Sequence, residues 1–436
     1  MKKVYASKDI IIYRNKNLYS ILNINSLRML HFKRANNSSV EEILSLITSN
    51  KIFNKYIYEK IISSLENSSV INTLYLYLSE ACNLDCKYCF VNKKNNSYMN
   101  YDTAEYYLKY FLDNANKESL LDRNNKKVFT IFFYGGEPLL NKDVLIDAVE
   151  YINKYYIENN FYYPLKICLN TNGLLISEEL IKYFKINNIK IIISLDGFSE
   201  NHNKLRGLSN QQINLIISNI RNLIINKIDL SISLTINEYN VNDLFEIYKW
   251  FLNNFKKLRI GFGNLLQVPL KKNSFNFRFL AYKTLTEIYL YAINSNIDIN
   301  SYEEEFHLKV NDLERKIIKI KNCSAYGNEM TIDSNGRIFT CHGLISNKNL
   351  GFTVFEEFNK ERIKWSRRIS LLNEDCKICE AKSICGGGCA THNYIEKGNC
   401  FEMLSTYCDY QRYIVNFFIK NKTKRFELSN KDFELS

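Results

Sequence analysis

Cys82, Cys86 and Cys89 stand at Cys-x3-Cys-x2-Cys spacing in the segment Ala81-Cys82-Asn83-Leu84-Asp85-Cys86-Lys87-Tyr88-Cys89-Phe90. A complete electron-transfer cubane is held by four thiolates. Three in one short loop hold three corners and leave the fourth iron to bind something else. Structural zinc wants four closed ligands in Cys-x2-4-Cys pairs, and no fourth ligand stands nearby in the sequence. A second concentration of cysteines begins with Cys323, Gly336 and Cys341. It continues as Cys376-x2-Cys379-x5-Cys385-x3-Cys389 and closes with Cys408. On spacing alone, Cys376, Cys379, Cys385 and Cys389 could also form one four-cysteine zinc site, the lesser reading beside iron. Cys168 lies alone in a strand-like segment and reads as a small buried hydrophobe. Cys400 fits neither spacing.

Elements must hold these loops. Strand patterns fall at about 74–79, 128–134, 165–170, 189–195, 229–236 and 258–264. Amphipathic helical patterns alternate with them near 102–114, 141–157, 177–187, 210–226 and 240–255, and another follows at 277–295. Six β/α units with β-branched and aromatic strands read as a buried parallel sheet, curled by right-handed crossovers into a partial (β/α)6 barrel. The fold class is α/β. The candidate functional residues fall just after strands, where barrel enzymes carry their sites: Cys82 to Cys89, Gly135 to Pro138, Asn170 to Gly173, and Ser194 to Gly197. Residues 1–72 read as a separate unit, with strands at 9–13 and 18–24 and helices at about 26–33, 40–49 and 54–66. Asp333-Ser334-Asn335-Gly336 is a hairpin turn, so Cys341 leaves the second strand of a hairpin. The expected domains are 1–72, 73–295 and 296–415, with 416–436 as a C-terminal tail.

The chain has 436 residues, enough for two or three domains, with 12 Cys and a net charge of +12. The charge is spread along the chain without a dense Lys/Arg block, so nucleic acid is not an expected partner. No apolar run reaches the length of a membrane span, and the N-terminus lacks the apolar core of an export signal. Ligand-like cysteine spacing then points to metal clusters in a reducing cytoplasm rather than to disulfides.

The cluster loop after the first strand, with Tyr134-Gly135-Gly136-Glu137-Pro138 after the second, resembles the radical S-adenosylmethionine (radical SAM) superfamily. The resemblance implies that the open iron chelates S-adenosylmethionine and that Gly135, Gly136, Glu137 and Pro138 border it, with Glu137 on the methionine ammonium. Asn172, Ser194, Asp196 and Arg206 lie in segments similar to family segments lining that site, with Arg206 offering a fork to the methionine carboxylate. His202 reads as structural. The C-terminal cysteines resemble the seven-cysteine SPASM domain. Carried over, Cys376, Cys379, Cys385 and Cys408 close one auxiliary 4Fe–4S cluster, and Cys323, Cys341 and Cys389 bind another, which makes three clusters in all. Residues 1–72 resemble a winged-helix leader-recognition domain, to whose 9–24 hairpin a precursor leader would add a strand.

The implied activity is reductive cleavage of S-adenosylmethionine to a 5′-deoxyadenosyl radical and formation of a Cys-derived thioether in a ribosomally made peptide, as in sactipeptide and ranthipeptide maturases. A flavodoxin- or ferredoxin-type donor would supply electrons. Epimerisation, carbon–carbon crosslinking and sulfatase-type formylglycine formation are the other modifications weighed. Formylglycine formation is disfavoured because His342 stands where resembling maturases place an Asp after the cysteine. A non-catalytic iron–sulfur or zinc regulator, with residues 1–72 as a DNA-binding wing, leaves the Gly135 to Pro138 turn unexplained.

Overall fold

A computed structural model describes residues 2–6, 9–15, 18–33, 39, 41, 44, 70–91, 96–121, 128–159, 164–255, 258–263, 274–297, 305–319, 321–402 and 405–429. The chain divides into two compact units, Met1–Ser68 with Phe306–Cys323 and Ser366–Ser436, and Ser69–Glu305 with Ser324–Trp365.

In the first unit, β1 (Lys2–Ala6), β2 (Ile10–Asn15), β3 (Leu18–Asn23) and β4 (Met29–Lys33) form an antiparallel sheet in sequential order. Ile10, Ile12, Tyr19 and Ile21 make its core. The strands expected at 9–13 and 18–24 are β2 and β3, but the helix expected at 26–33 is not formed. A turn at 24–26 feeds β4, whose Leu30 pairs with Ile21. Ladder hydrogen bonds to β3 override the helical pattern. The hairpin is therefore enclosed, with β1 on one side and β4 on the other. The helix expected at 54–66 lies outside the described residues, as does that expected at 40–49 apart from the helical positions 41 and 44.

The second unit carries the parallel strands β5 (Thr73–Ser79), β6 (Phe129–Gly135), β7 (Leu165–Thr171), β8 (Lys190–Ser194), β9 (Leu230–Thr235) and β10 (Arg259–Gly263). Between and after them run α1 (Tyr101–Leu121), α2 (Lys142–Glu158), α3 (Glu178–Ile186), α4 (Asn210–Ile225), α5 (Leu244–Asn254) and α6 (Ser274–Asn294). Each of the expected units is present. Ser177 caps α3, and Ser209 with Gln212 forms a capping box on α4, each satisfying backbone N–H groups that the first turn leaves free. Side chains alternate along the strands. Phe129, Ile131 and Phe133 of β6 are fully buried, while Thr130, Phe132 and Tyr134 are only partly so.

After α7 (Glu305–Arg315), β11 (Glu329–Ile332) and β12 (Ile338–Phe339) form the expected hairpin. It does not belong with the later cysteine-rich segment. β11 pairs in parallel with β5, extending the sheet to eight strands. Lys348 fastens it, since its Nζ lies 2.7 Å from Glu80 Oε1 and 2.8 Å from Asp333 Oδ2, with both carboxylates buried. α8 (Phe355–Ser366) follows.

The remaining elements, α9 (Lys382–Cys385), α10 (Ala390–Lys397) and α11 (Ser405–Ser429), belong to the first unit. Residues 416–429 are thus the second half of a helix, not a tail. That helix bonds to β3, Thr423 Oγ1 donating to Ser20 Oγ at 2.7 Å. Among the described residues no helix is long and apolar enough to cross a membrane.

Candidate functional site: a three-cysteine pocket at the sheet's C-terminal edge

Cys82, Cys86 and Cys89 line one pocket with Gly135, Gly136, Asn172, Ser194 and Arg206. All three cysteines are partly accessible. The loop is folded by its own backbone, with Cys89 N donating to Cys86 O at 3.1 Å and Leu84 N to Cys82 Sγ at 3.4 Å. Lys87 N, at 2.7 Å from Leu205 O, pins the loop to the segment before Arg206. Among the described residues the lining holds no fourth cysteine and no Asp, Glu or His. That donor set fits an iron–sulfur cluster with one open corner and does not fit a closed zinc site.

Gly135 and Gly136 bring the second strand end against the root of this loop. Gly136 N donates to Ser79 O at 2.7 Å, and Glu137 N to Ala81 O at 2.9 Å. A Cβ on Gly136 would sit 2.3 Å from Ala81 O, and Gly135 has φ of 146°, so only glycine serves at either place. Pro138 opens a short 3-10 turn and is buried.

Glu137 lies behind the lining. Its carboxylate is fully buried and is not part of the lining. It accepts from Thr171 Oγ1 at 2.7 Å, from Asn172 N at 2.8 Å and from Leu139 N at 3.1 Å. Burial pushes its pKa up to about 7 against the downward pull of those donors. The carboxylate fastens the third strand end to the second. Asn172 passes the connection on, its Nδ2 donating to Asn83 Oδ1 of the cluster loop at 2.7 Å.

Asp196 is likewise behind the pocket wall and fully buried. Its Oδ2 accepts from Tyr88 OH at 2.6 Å, and its Oδ1 accepts from Thr235 N at 3.0 Å. Arg206 Nε lies 3.0 Å from Oδ1. The guanidinium also lies over the Tyr88 ring, 5.4 Å from its centroid. Asp196, Tyr88 and the Cys86 thiol all favour its charged form, which holds its pKa above the ordinary value despite desolvation by burial. Ser194 and Arg206 line the pocket, but one side of the Arg206 fork is already committed. His202 is buried beside Asp243, 3.2 Å away, consistent with structure rather than chemistry.

In the first unit, Cys376, Cys379, Cys385 and Cys408 come together. The Cys376 thiol is pushed up to about 12 by burial and then by Cys385, Cys379 and Cys408. Burial and then Cys385 and Cys379 raise Cys408 to about 12 as well. Cys323 and Cys389 belong to this unit and Cys341 to the other. Cys400 is buried, and its carbonyl accepts from Arg368 Nε. Cys168 is buried, as expected.

Beside Cys341, donor atoms of Glu329 and His342 lie within 4.8 Å of its sulfur and of one another. Glu329 Oε1 accepts the His342 backbone N–H at 2.6 Å and lies 3.0 Å from Nδ1. Burial alone would raise the Glu329 pKa, but His342 and Ser324 bring it below its ordinary value. The imidazole stacks on Tyr75, ring centroids 4.4 Å apart.

Sequence reading missed Tyr88, Asn83, Thr235 and Glu329. Tyr88 had a usable signal, being an aromatic phenol inside the ligand loop. Glu329 and Thr235 had none, since each acts through strand register.

Residues 76–251 match the family model described as the radical SAM superfamily. The chain is thus an enzyme that carries a radical SAM domain, which implies S-adenosylmethionine and a 4Fe–4S cluster as cofactors. It is 26% identical over 388 residues to the radical SAM cyclopropyl synthase TigE of Paramaledivibacter caminithermalis, covering 84% of this chain and 77% of TigE. It is also 26% identical over 336 residues to a cysteine-type anaerobic sulfatase-maturating enzyme of Clostridium novyi, covering 71% of this chain and 85% of that one. The fold is that of native anSMEcpe solved with AdoMet and the Cp18Cys peptide (TM-score 0.63, 22% identity, 81% of this chain and 99% of that chain). Streptococcus suis SuiB bound to its precursor peptide SuiA shares it at TM-score 0.57 and 17% identity, over 92% of this chain and 99% of that one.

Proposed function

We propose that this enzyme modifies a ribosomally made precursor peptide, installing a thioether from a peptide cysteine. The observation that carries the reading is the convergence of three cysteines, and no fourth ligand among the described lining, on a pocket walled by the ends of parallel strands. Bound there, the cluster and S-adenosylmethionine supply a 5′-deoxyadenosyl radical able to take an unactivated hydrogen. The chain's own residues do the positioning. Cys82, Cys86 and Cys89 would hold the cluster. Gly135 and Gly136 let backbone approach the ligand, and Asn172, Ser194 and Arg206 present polar groups to it. Glu137 and Asp196 keep those groups in place from behind.

Cys376, Cys379, Cys385 and Cys408 would hold a closed auxiliary cluster. Reducing the clusters needs an external one-electron donor of flavodoxin or ferredoxin type. The leader would dock on the N-terminal sheet. Because β2 and β3 are already paired on both sides, the strand would add at an outer edge. Beside β4 lies a groove lined by Leu27, Leu30, Leu313 and Phe418, with Arg28, Lys316 and a Lys422–Glu314 ion pair around it. It suits an apolar peptide carrying acidic residues. TigE and the sulfatase maturases support peptide or protein modification in general, and they make cyclopropane formation and formylglycine formation the competing products.

The test is mass spectrometry of a precursor encoded beside the gene, after anaerobic turnover with reductant. A Cys-dependent loss of two hydrogens supports the thioether. The same loss from a Cys→Ser precursor favours a carbon–carbon product. Arg28→Glu with Lys316→Glu should weaken precursor binding while leaving S-adenosylmethionine cleavage intact.

A further inference from the structure

We propose that the inner cavity of the sheet, toward the strand N-termini from the three-cysteine pocket, holds the uncharged side chain of the peptide residue under attack. This rests on the peptide-modifying reading above. The cavity is lined by Tyr75, Phe132, Tyr134, Ile192, Ser231 and Gly261. It opens into the three-cysteine pocket, since Tyr134, Asn170 and Ser233 line both. Strand register gives the depth. Ser194, Ser233 and Gly261 form one row, and Asn170, Ile192 and Ser231 form the row below it.

Three features select the occupant. Among the described residues no Asp, Glu, Lys, Arg or His lines the cavity, so a charged side chain would lose its hydration with no counter-charge. The walls are rigid. Tyr75 is stacked between Phe132, at 4.5 Å and 7°, and His342, at 4.4 Å and 20°. Such fixed ring faces suit an aliphatic body. At the lower end, Ser231 is 1% exposed and its hydroxyl has no hydrogen-bond partner among the described residues. A buried hydroxyl left unbonded is costly, so a neutral side chain that reaches it with a hydroxyl is favoured over its hydrocarbon isostere. Gly261, with no side chain of its own, leaves the room.

The test uses the reconstituted enzyme with S-adenosylmethionine and no reductant, read by saturation-transfer NMR. The probes are the N-acetyl amides of valine, threonine, aspartate and lysine. Val and Thr probes should receive saturation at least about tenfold more strongly than the charged ones, with Thr ahead. Gly261→Val fills the cavity and should abolish transfer to both, while S-adenosylmethionine binding is retained. Ser231→Ala should reverse the order of Thr and Val. It decides the matter alone if Gly261→Val does not fold. Equal transfer to the Asp or Lys probe, unchanged transfer in Gly261→Val, or an unchanged order in Ser231→Ala would overturn the inference. The peptide-modifying reading fails separately, if no precursor is altered while the probes keep this preference.

Discussion

The loop of Cys82, Cys86 and Cys89 and the group of Cys376, Cys379, Cys385 and Cys408 use the same ligand chemistry in opposite settings. The first lines an open pocket, is partly accessible and shares that pocket with the polar side chains of Asn172, Ser194 and Arg206. The second has two buried members and two partly buried ones, and burial, then the neighbouring thiols, raises the pKa of Cys376 and Cys408. Ligand count alone separates a cluster that can take a substrate from one that is complete. Burial makes the same separation independently, because a closed cluster needs no access. The polar scaffolds differ too. Around the open loop, Glu137 and Asp196 face inward and brace strand ends. In the closed group, Arg412 bonds the Cys379 thiol and is held charged by it against desolvation.

The largest expected effect comes from emptying the open site. The triple variant Cys82→Ala, Cys86→Ala, Cys89→Ala should lose reductive S-adenosylmethionine cleavage and about four irons per chain, one cubane, while keeping the rest. Cleavage at the wild-type rate would erase the distinction. Next comes Cys385→Ala in the closed group. Iron should fall by about four per chain and the melting temperature should drop, while uncoupled cleavage stays measurable. Full iron content in that variant would show that these four residues do not share a cluster.

Gly136→Ala sharpens the account of the open site without touching a ligand. Its Cβ would meet Ala81 O at 2.3 Å, and the strain should cost about 1–3 kcal/mol, read by urea unfolding, with weaker S-adenosylmethionine binding. The smallest effect is in the pH dependence of Glu137. Its folded pKa, about 7, lies above the ordinary 4.5. The folded protein then holds that proton more tightly, so the group's contribution to stability is full below 4.5 and is lost as pH rises to 7. Glu137→Gln does not titrate. The advantage of wild type over this variant in urea midpoint should narrow between those pH values, and a gap that widens would mean the carboxylate is charged throughout.

Much of the second unit was legible in the sequence because alternating strands and 3.6-period helices leave strong patterns. The strand expected at 165–170 is β7, and the helix expected at 210–226 is α4. The cysteines were legible as candidate ligands because chemistry dictates such spacing. Three things were not. β4 replaced a helix because pairing with β3 decides that segment, and pairing is nonlocal. The hairpin at 329–339 joined β5 for the same reason. Glu137 and Asp196 have the residue types of ligand contacts, but only the folded strand ends reveal that backbone and phenol donors already occupy them.

The open and closed assignments meet most directly in electron paramagnetic resonance of the reduced protein, with and without S-adenosylmethionine. One cluster signal should shift on addition, and the triple variant lacking Cys82, Cys86 and Cys89 should lose that signal while the remaining signals ignore the ligand. A signal that shifts in the triple variant, or none that shifts in the wild type, would contradict the assignment of the open iron to this loop.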